Sequence, residues 1–248
     1  MRVAGATLPR MTFNRDWEAQ AENWLAWART PGHDAYWRYR DTFFALVPPP
    51  RAATLEVGCG EGRVARDLAA RGHRVTAVDA SPTLLSAAAA ADPEGRYVLA
   101  DAAELPFDEA SFDLVVAYNS LMDVQDMPGA VREAARVLRP DGHLCVCVTH
   151  PLADAGRFAA SGADAPFVIE GSYLETQRFE GTFEHDGLAM TFCGWSYPLE
   201  AYSRALEAVG LRIEALREPG VPAEEVERHP EEAPWRRLPM FLMLRAAL

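Results

Sequence analysis

Three glycines at alternate positions, Gly58, Gly60 and Gly62, follow directly on the apolar run that opens with Thr54 and Leu55. Bare backbone between an apolar run and a helical pattern lets a ligand lie against main-chain N–H groups, because no Cβ holds it away. The same glycines are also consistent with nothing more than a tight strand-to-helix turn. The carboxylates around them narrow the chemistry. Glu56 stands just before the loop, and Asp79 closes the next apolar run, about twenty residues on, where a carboxylate can accept both hydrogens of a ribose diol. Asp101 closes a third run, and Tyr118 with Asn119 a fourth. An aspartate at such a place can equally cap a helix or a turn. The dinucleotide fingerprint Gly-x-Gly-x-x-Gly would put a third glycine where this chain has Arg63, so the loop departs from the dehydrogenase pattern.

These residues need a scaffold that brings the ends of several runs to one edge. From Thr54 the chain alternates short Val, Leu and Ala runs with helical segments, which predicts parallel strands covered on both faces, each separated by a helix. The segment from Gly62 is helical and closes at Gly72. Ser81 and Pro82 supply the N-cap and first position of the next helix. A further helix runs from Met127 and is expected to end at Pro140 and Gly142, before a fifth strand that finishes at His150. Residues 151–197 lose this rhythm and read as an inserted antiparallel ribbon, with Gly181 and Gly187 as turn formers. A helix and two strands then complete the sheet, separated by a charged, proline-rich stretch from Gly220 to Pro239 that reads as a surface loop with one short helix. Before Pro48, aromatic residues at helical spacing predict one or two amphipathic helices. The expected organisation is a helical cap over 1–50, a core over 51–150, an acceptor-side insertion over 151–197, and the rest of the core over 198–248.

The ordered set LEVGCGEGR, VDAS, DAAELPF, FDLVVAYNSLMDV and EAARVLRPDGHLCV resembles the successive motifs of the class I S-adenosylmethionine-dependent methyltransferases. The resemblance covers Thr54 to His150 closely and the closing helix and strands more loosely. It implies a doubly wound, Rossmann-like α/β fold with a sheet of seven strands whose last strand is antiparallel. It also implies that the loop Glu56, Gly58, Cys59, Gly60 and Gly62 passes under the methionine part of the cofactor, and that Asp79 holds the ribose hydroxyls with Ala80 and Ser81 beside the adenine. Asp101 and the Ala102 backbone would read the adenine ring, and Tyr118 and Asn119 would border the sulfonium. A phosphate-free cation agrees with Glu56 in the loop and with the lack of a nearby lysine, whereas a pyrophosphate favours a bare helix dipole or a lysine.

A sulfonium is already a strong electrophile, so such an enzyme mainly positions the acceptor in line with the departing sulfur and excludes water. A general base would add about 10²- to 10⁴-fold for an oxygen or nitrogen acceptor. His150 is the first candidate for that base, although a histidine before Pro151 equally packs or hydrogen-bonds to backbone. Tyr173, His185 and Tyr197 follow. Trp24, Trp27, Tyr36, Phe183, Phe192 and Trp195 could line an apolar, aromatic acceptor cavity, though aromatics at such spacing usually build core. The reading that results is methyl transfer to an oxygen or nitrogen of a small, apolar or aromatic metabolite, leaving S-adenosylhomocysteine. The alternatives are a cofactor-binding regulator or subunit without turnover and a nicotinamide-dependent oxidoreductase.

The net charge of −12 over 248 residues speaks against a broad nucleic-acid or anionic-membrane surface. The segment after the fourth strand reads Tyr118-Asn119-Ser120-Leu121 rather than an Asn-Pro-Pro-Tyr type motif, which counts against nucleobase amines. Without a signal-peptide-like run at the N-terminus or a long apolar span, the expected compartment is the cytoplasm. Four cysteines without zinc spacing are too few for a disulfide framework; three should pack as small hydrophobes, and no bound metal is expected. Either a monomer or a homodimer is compatible with this composition.

Overall fold

The computed structural model describes residues 15–248. The expectations about a leader and the first part of the 1–50 cap fall outside the described residues.

Three short helices, α1 (Arg15–Ala19), α2 (Ala21–Arg29) and α3 (Tyr36–Phe44), precede β1 (Thr54–Val57). The aromatic spacing predicted one or two. Then follow α4 (Arg63–Ala70), β2 (Val75–Asp79), α5 (Pro82–Ala91), β3 (Arg96–Leu99), β4 (Phe112–Tyr118), α6 (Met127–Val137) and β5 (Leu138–Thr149). The expected helix between β3 and β4 is absent; a loop over 100–111 makes that connection. Helix α6 starts as its sequence dictates, with Asp126 Oδ1 accepting from the Gly129 N–H at 2.9 Å. It ends at Val137 rather than at Pro140, because a proline ring disfavours helical geometry in the residue before it and Leu138 already turns to extended backbone.

After β5 come α7 (Pro151–Asp154), β6 (Gly156–Phe158), β7 (Phe167–Ile169), β8 (Gln177–His185), β9 (Leu188–Ser196), α8 (Leu199–Glu207), β10 (Arg212–Arg217), α9 (Ala223–Arg228) and β11 (Phe241–Ala247). The inserted segment is antiparallel as expected, as two separate pairs, β6 with β7 and β8 with β9. Gly187 sits in the β8–β9 turn. Gly181, expected to turn as well, instead lies inside β8 opposite Phe192. A Cβ there would stand 3.0 Å from the Phe179 ring and 3.1 Å from the Phe183 ring, so this glycine makes room for aromatics. The Gly220–Pro239 stretch holds a 3₁₀ segment, Pro230–Arg236, besides α9.

The seven-stranded sheet runs β10-β11-β5-β4-β1-β2-β3, and β11 is antiparallel to both of its neighbours. Residues alternate along β4: Val115 and Ala117 pack under α6 and α8 with Ala130, Val131 and Leu206, whereas Leu114, Val116 and Tyr118 pack on the other face with Phe43 and Leu68. Both faces are therefore covered, which is why the strand reads as an unbroken apolar run. All four cysteines are free and buried. Strand order reverses between β1 and β4, so the crevice for a ligand opens beyond their carboxyl ends. Among the described residues no helix is long and apolar enough to cross a membrane.

Candidate active site

The loop after β1 is built on left-handed backbone. Gly58, Gly60 and Gly62 have φ of 72°, 55° and 83°. Space demands Gly58 as well, since a Cβ would come within 2.4 Å of Ser120 Cβ. Ser120 in turn donates its hydroxyl to the Val57 carbonyl at 2.7 Å, which ties the end of β4 to the end of β1. Asn119, at the same edge, takes the left-handed conformation at φ 49° and accepts from Cys147 Sγ at 3.3 Å. Tyr118 points to the opposite face, its ring 4.9 Å from that of Phe43.

Asp79 reaches back to the loop. Its Oδ2 accepts from the Gly60 N–H at 2.7 Å and its Oδ1 from the Ser81 N–H at 2.8 Å. Burial raises its pKa while these backbone donors pull it down. A carboxylate offers about four acceptor positions, so each oxygen keeps capacity for a ligand hydroxyl. Asp101 Oδ1 accepts from the Ala103 N–H at 2.9 Å, an Asx turn that holds Asp101 and Ala102 at the half-buried rim. Glu56 is the most informative residue: it is 1% exposed and its Oε2 has no hydrogen-bond partner among the described residues. Burial, reinforced by the Asp79 charge, raises its pKa well above the ordinary value. A buried carboxylate in this state is stabilised by a nearby cation. Together, a loop whose backbone can be approached, a ribose-competent Asp79 and an unsatisfied Glu56 fit S-adenosylmethionine; Glu56, Gly58, Gly60, Asp79 and Asp101 would hold it.

The residue that replaces the third glycine has its own task. Arg63 pairs with Asp34 at 2.6 Å, and its guanidinium stacks 4.3 Å from the Tyr36 ring and 5.0 Å from that of Trp24. Glu61, also within the motif, is 2% exposed on its side chain and takes Arg66 at 2.9 Å and Arg29 at 3.2 Å. Glu18 of α1 accepts from the Ser81 hydroxyl and from Thr83 Oγ1, the latter at 2.6 Å. The N-terminal helices are thus fastened to the loop, and the Trp24 indole nitrogen lies 3.2 Å from where a Gly60 Cβ would be.

Phe192 of β9 packs edge-on against Trp17, Trp24, Trp27 and Phe183, joining the ribbon to the helices. Of the expected pocket residues, Trp27 belongs to this cluster and is mostly buried. Tyr36 donates its hydroxyl to Asp67 at 2.5 Å, Tyr173 accepts from the Leu199 N–H at 3.1 Å, and Tyr197 packs edge-on to Tyr202 inside the core with Trp195 nearby. His185 lies at the ribbon tip against His33.

His150 does not stand free as a base. Its Nδ1 accepts from the Leu152 N–H at 3.1 Å, capping α7, so the proton sits on Nε2, which meets Glu218 Oε1 at 2.8 Å. What α7 carries instead is Asp154, whose carboxyl burial pushes up to about 7. Asp123, just past β4, is raised well above the ordinary value by burial and by the charges of Asp154 and Asp79, with the Trp17 indole opposing. Strand β9 crosses directly over Asp123 at Gly194, where a Cβ would come within 2.5 Å of Asp123 Oδ1. Sequence reasoning missed both aspartates. Asp123 carried a usable signal, its place after the fourth strand beside Asn119; Asp154 carried none.

The comparisons accord with this geometry. A family model described as a methyltransferase domain matches residues 55–146. A demethylmenaquinone methyltransferase of Mycolicibacterium gilvum is 39% identical over 116 residues, 47% of this chain and 50% of that protein. One of Clavibacter sepedonicus is 35% identical over 119 residues, 47% of this chain and 48% of that protein. The chain spans about half the length of the curated relatives it matches. The crystal structure of an S-adenosylmethionine-dependent methyltransferase from Mesorhizobium loti superimposes with a TM-score of 0.69 at 26% identity, over 86% of this chain and 97% of that one. Motif order and sheet order agree with these matches: residues 55–146 match a methyltransferase domain, and the chain shares the fold of an S-adenosylmethionine-dependent methyltransferase, the similarity that points to S-adenosylmethionine as the cofactor.

Proposed function

We propose that this chain methylates an oxygen or nitrogen of a small acceptor that presents an apolar or aromatic face. The observation that carries the reading is the joint of Phe192 with Trp17, Trp24 and Trp27, which sets an aromatic surface against Gly60, next to the loop that would hold the cofactor. The family match ends at residue 146, before the ribbon begins, so the acceptor named for the curated relatives supports a small molecule and no particular one. Bound S-adenosylmethionine would supply an electrophilic methyl group. Glu56 and Asp79 bind and orient it, and the aromatic surface excludes water and positions the acceptor. Asp123 and Asp154, two carboxyls whose pKa values are raised by burial, are the candidates for the group that takes the acceptor's proton, and His150 caps α7, the helix that carries Asp154.

The purified chain should bind S-adenosylhomocysteine in a calorimetric titration and transfer labelled methyl from S-adenosylmethionine to members of a panel of phenols, quinols and amines. Absence of cofactor binding refutes the assignment. Firm binding with no transfer to any acceptor would instead favour a non-catalytic subunit.

A further inference from the structure

We propose that His33, His185 and Asp186 form a binding site for a divalent transition metal of the zinc class, which clasps the tip of the β8–β9 ribbon to the N-terminal helices. One ligand atom from each of the three residues lies within 4.8 Å of the others. His33, in the turn between α2 and α3, is 8% exposed, and neither of its ring nitrogens has a hydrogen-bond partner among the described residues. Buried polar groups are almost always partnered, so a buried imidazole with two open nitrogens asks for a ligand. Trp27 packs edge-on against that ring with centroids 4.4 Å apart, and the His185 ring stands 4.7 Å from it, tilted by 39°.

The hairpin turn sets the remaining ligands. Asp186 has φ 49° and Gly187 φ 78°, the pair of left-handed residues that an Asp-Gly two-residue turn favours. His185 Nε2 and Asp186 Oδ2 are 3.8 Å apart. Zinc holds nitrogen and oxygen ligands at about 2.0–2.2 Å in a tetrahedron, which places them roughly 3.4 Å from one another. Closing from the present spacing falls to His185 and Asp186, both exposed at the tip and free to change rotamer, against a fixed His33. Two imidazoles with a single carboxylate suit zinc, cobalt(II) or nickel(II), and disfavour calcium and magnesium, which want oxygen ligands. Three protein ligands leave the fourth position to water. His33 immediately precedes Asp34, the partner of Arg63, so a metal here would tether the ribbon to the same turn that grips the cofactor loop. Its ligands lie about 150 residues apart in sequence, which is why no ligand spacing announces them and why no metal was expected.

The test uses the full chain with any polyhistidine tag removed and bound metal stripped by EDTA. Titration with zinc should show one saturable equivalent, and cobalt(II) should give the intense visible bands of a tetrahedral site. His33→Gln, His185→Gln and Asp186→Asn should each weaken zinc binding by more than about 100-fold, since even groups that merely support metal ligands cost 10- to 100-fold. Zinc should raise Tm for the parent and not for His185→Gln. Should His33→Gln fail to fold by circular dichroism, the two exposed substitutions decide, because Asn keeps the left-handed turn. No saturable binding by the parent, or unchanged binding in His185→Gln and Asp186→Asn, overturns the proposal. None of these readouts needs cofactor or acceptor, so they stand or fall apart from the methyltransferase reading.

Discussion

Gly60 donates its backbone N–H to Asp79 Oδ2 at 2.7 Å, so the carboxylate proposed to hold the ribose also fastens the loop that would carry the methionine end of the cofactor. Asp79→Ala removes both functions. Losing charge-assisted hydrogen bonds of this kind costs about 2–4 kcal/mol, or about 30- to 1,000-fold in affinity for S-adenosylhomocysteine. Calorimetry checks this, and Asp79→Asn, which keeps an acceptor oxygen, should fall between the two. An unchanged affinity would break the site assignment.

Gly58→Ala places a Cβ 2.4 Å from Ser120 Cβ on backbone at φ 72°. Both the contact and the left-handed strain oppose it, and a loss of at least about 2 kcal/mol of stability is expected. Thermal unfolding of the cofactor-free chain measures this separately from binding. Gly187→Ala, where nothing lies within 4 Å, is the control that carries backbone strain without the clash.

Asp154 gives a stability prediction with a definite sign. Its carboxyl is raised from an ordinary 3.8 to about 7 by burial. Between those values the folded chain binds the proton more tightly than the unfolded chain, so stability falls as pH rises from about 4 to 7. The loss is on the order of 2–4 kcal/mol across the window. Urea unfolding of Asp154→Asn at several pH values should show a flatter dependence.

The same residue separates the two candidate bases. If Asp154 takes the acceptor's proton, turnover rises through about pH 7 in the parent and loses that limb in Asp154→Asn. His150→Asn, whose side-chain oxygen can still cap α7, should keep the limb. A limb that vanishes in His150→Asn and survives in Asp154→Asn would return the role to the histidine.

Arg63 holds the helical cap through Asp34 and two aromatic rings in a largely buried setting. Arg63→Ala leaves Asp34 unpaired, and a loss of about 2–4 kcal/mol follows. Limited proteolysis should cut the segment before Pro48 faster, and KM for the cofactor should rise, while the sheet's far-ultraviolet signal remains. Equal proteolysis of parent and variant would show that the cap holds without this residue.

The sheet, the glycine loop and the carboxylates at its edge were legible from residue order, because each depends on local rules. Apolar runs of strand length, Ser81 with Pro82 at a helix start, and glycines after β1 declare themselves within a few residues. Which side chains meet across distant elements follows from folding and not from spacing. Tyr36 is spent on Asp67 and Nε2 of His150 on Glu218, and these partners come from elements brought together only by folding. Asp123 and Asp154 acquire their raised pKa values from burial that no spacing encodes. The ribbon's Phe192 reaches the tryptophans of the first helices across more than half the chain, so the proposed acceptor surface is a product of packing at long range, while the proposed cofactor residues lie in successive strand-end motifs.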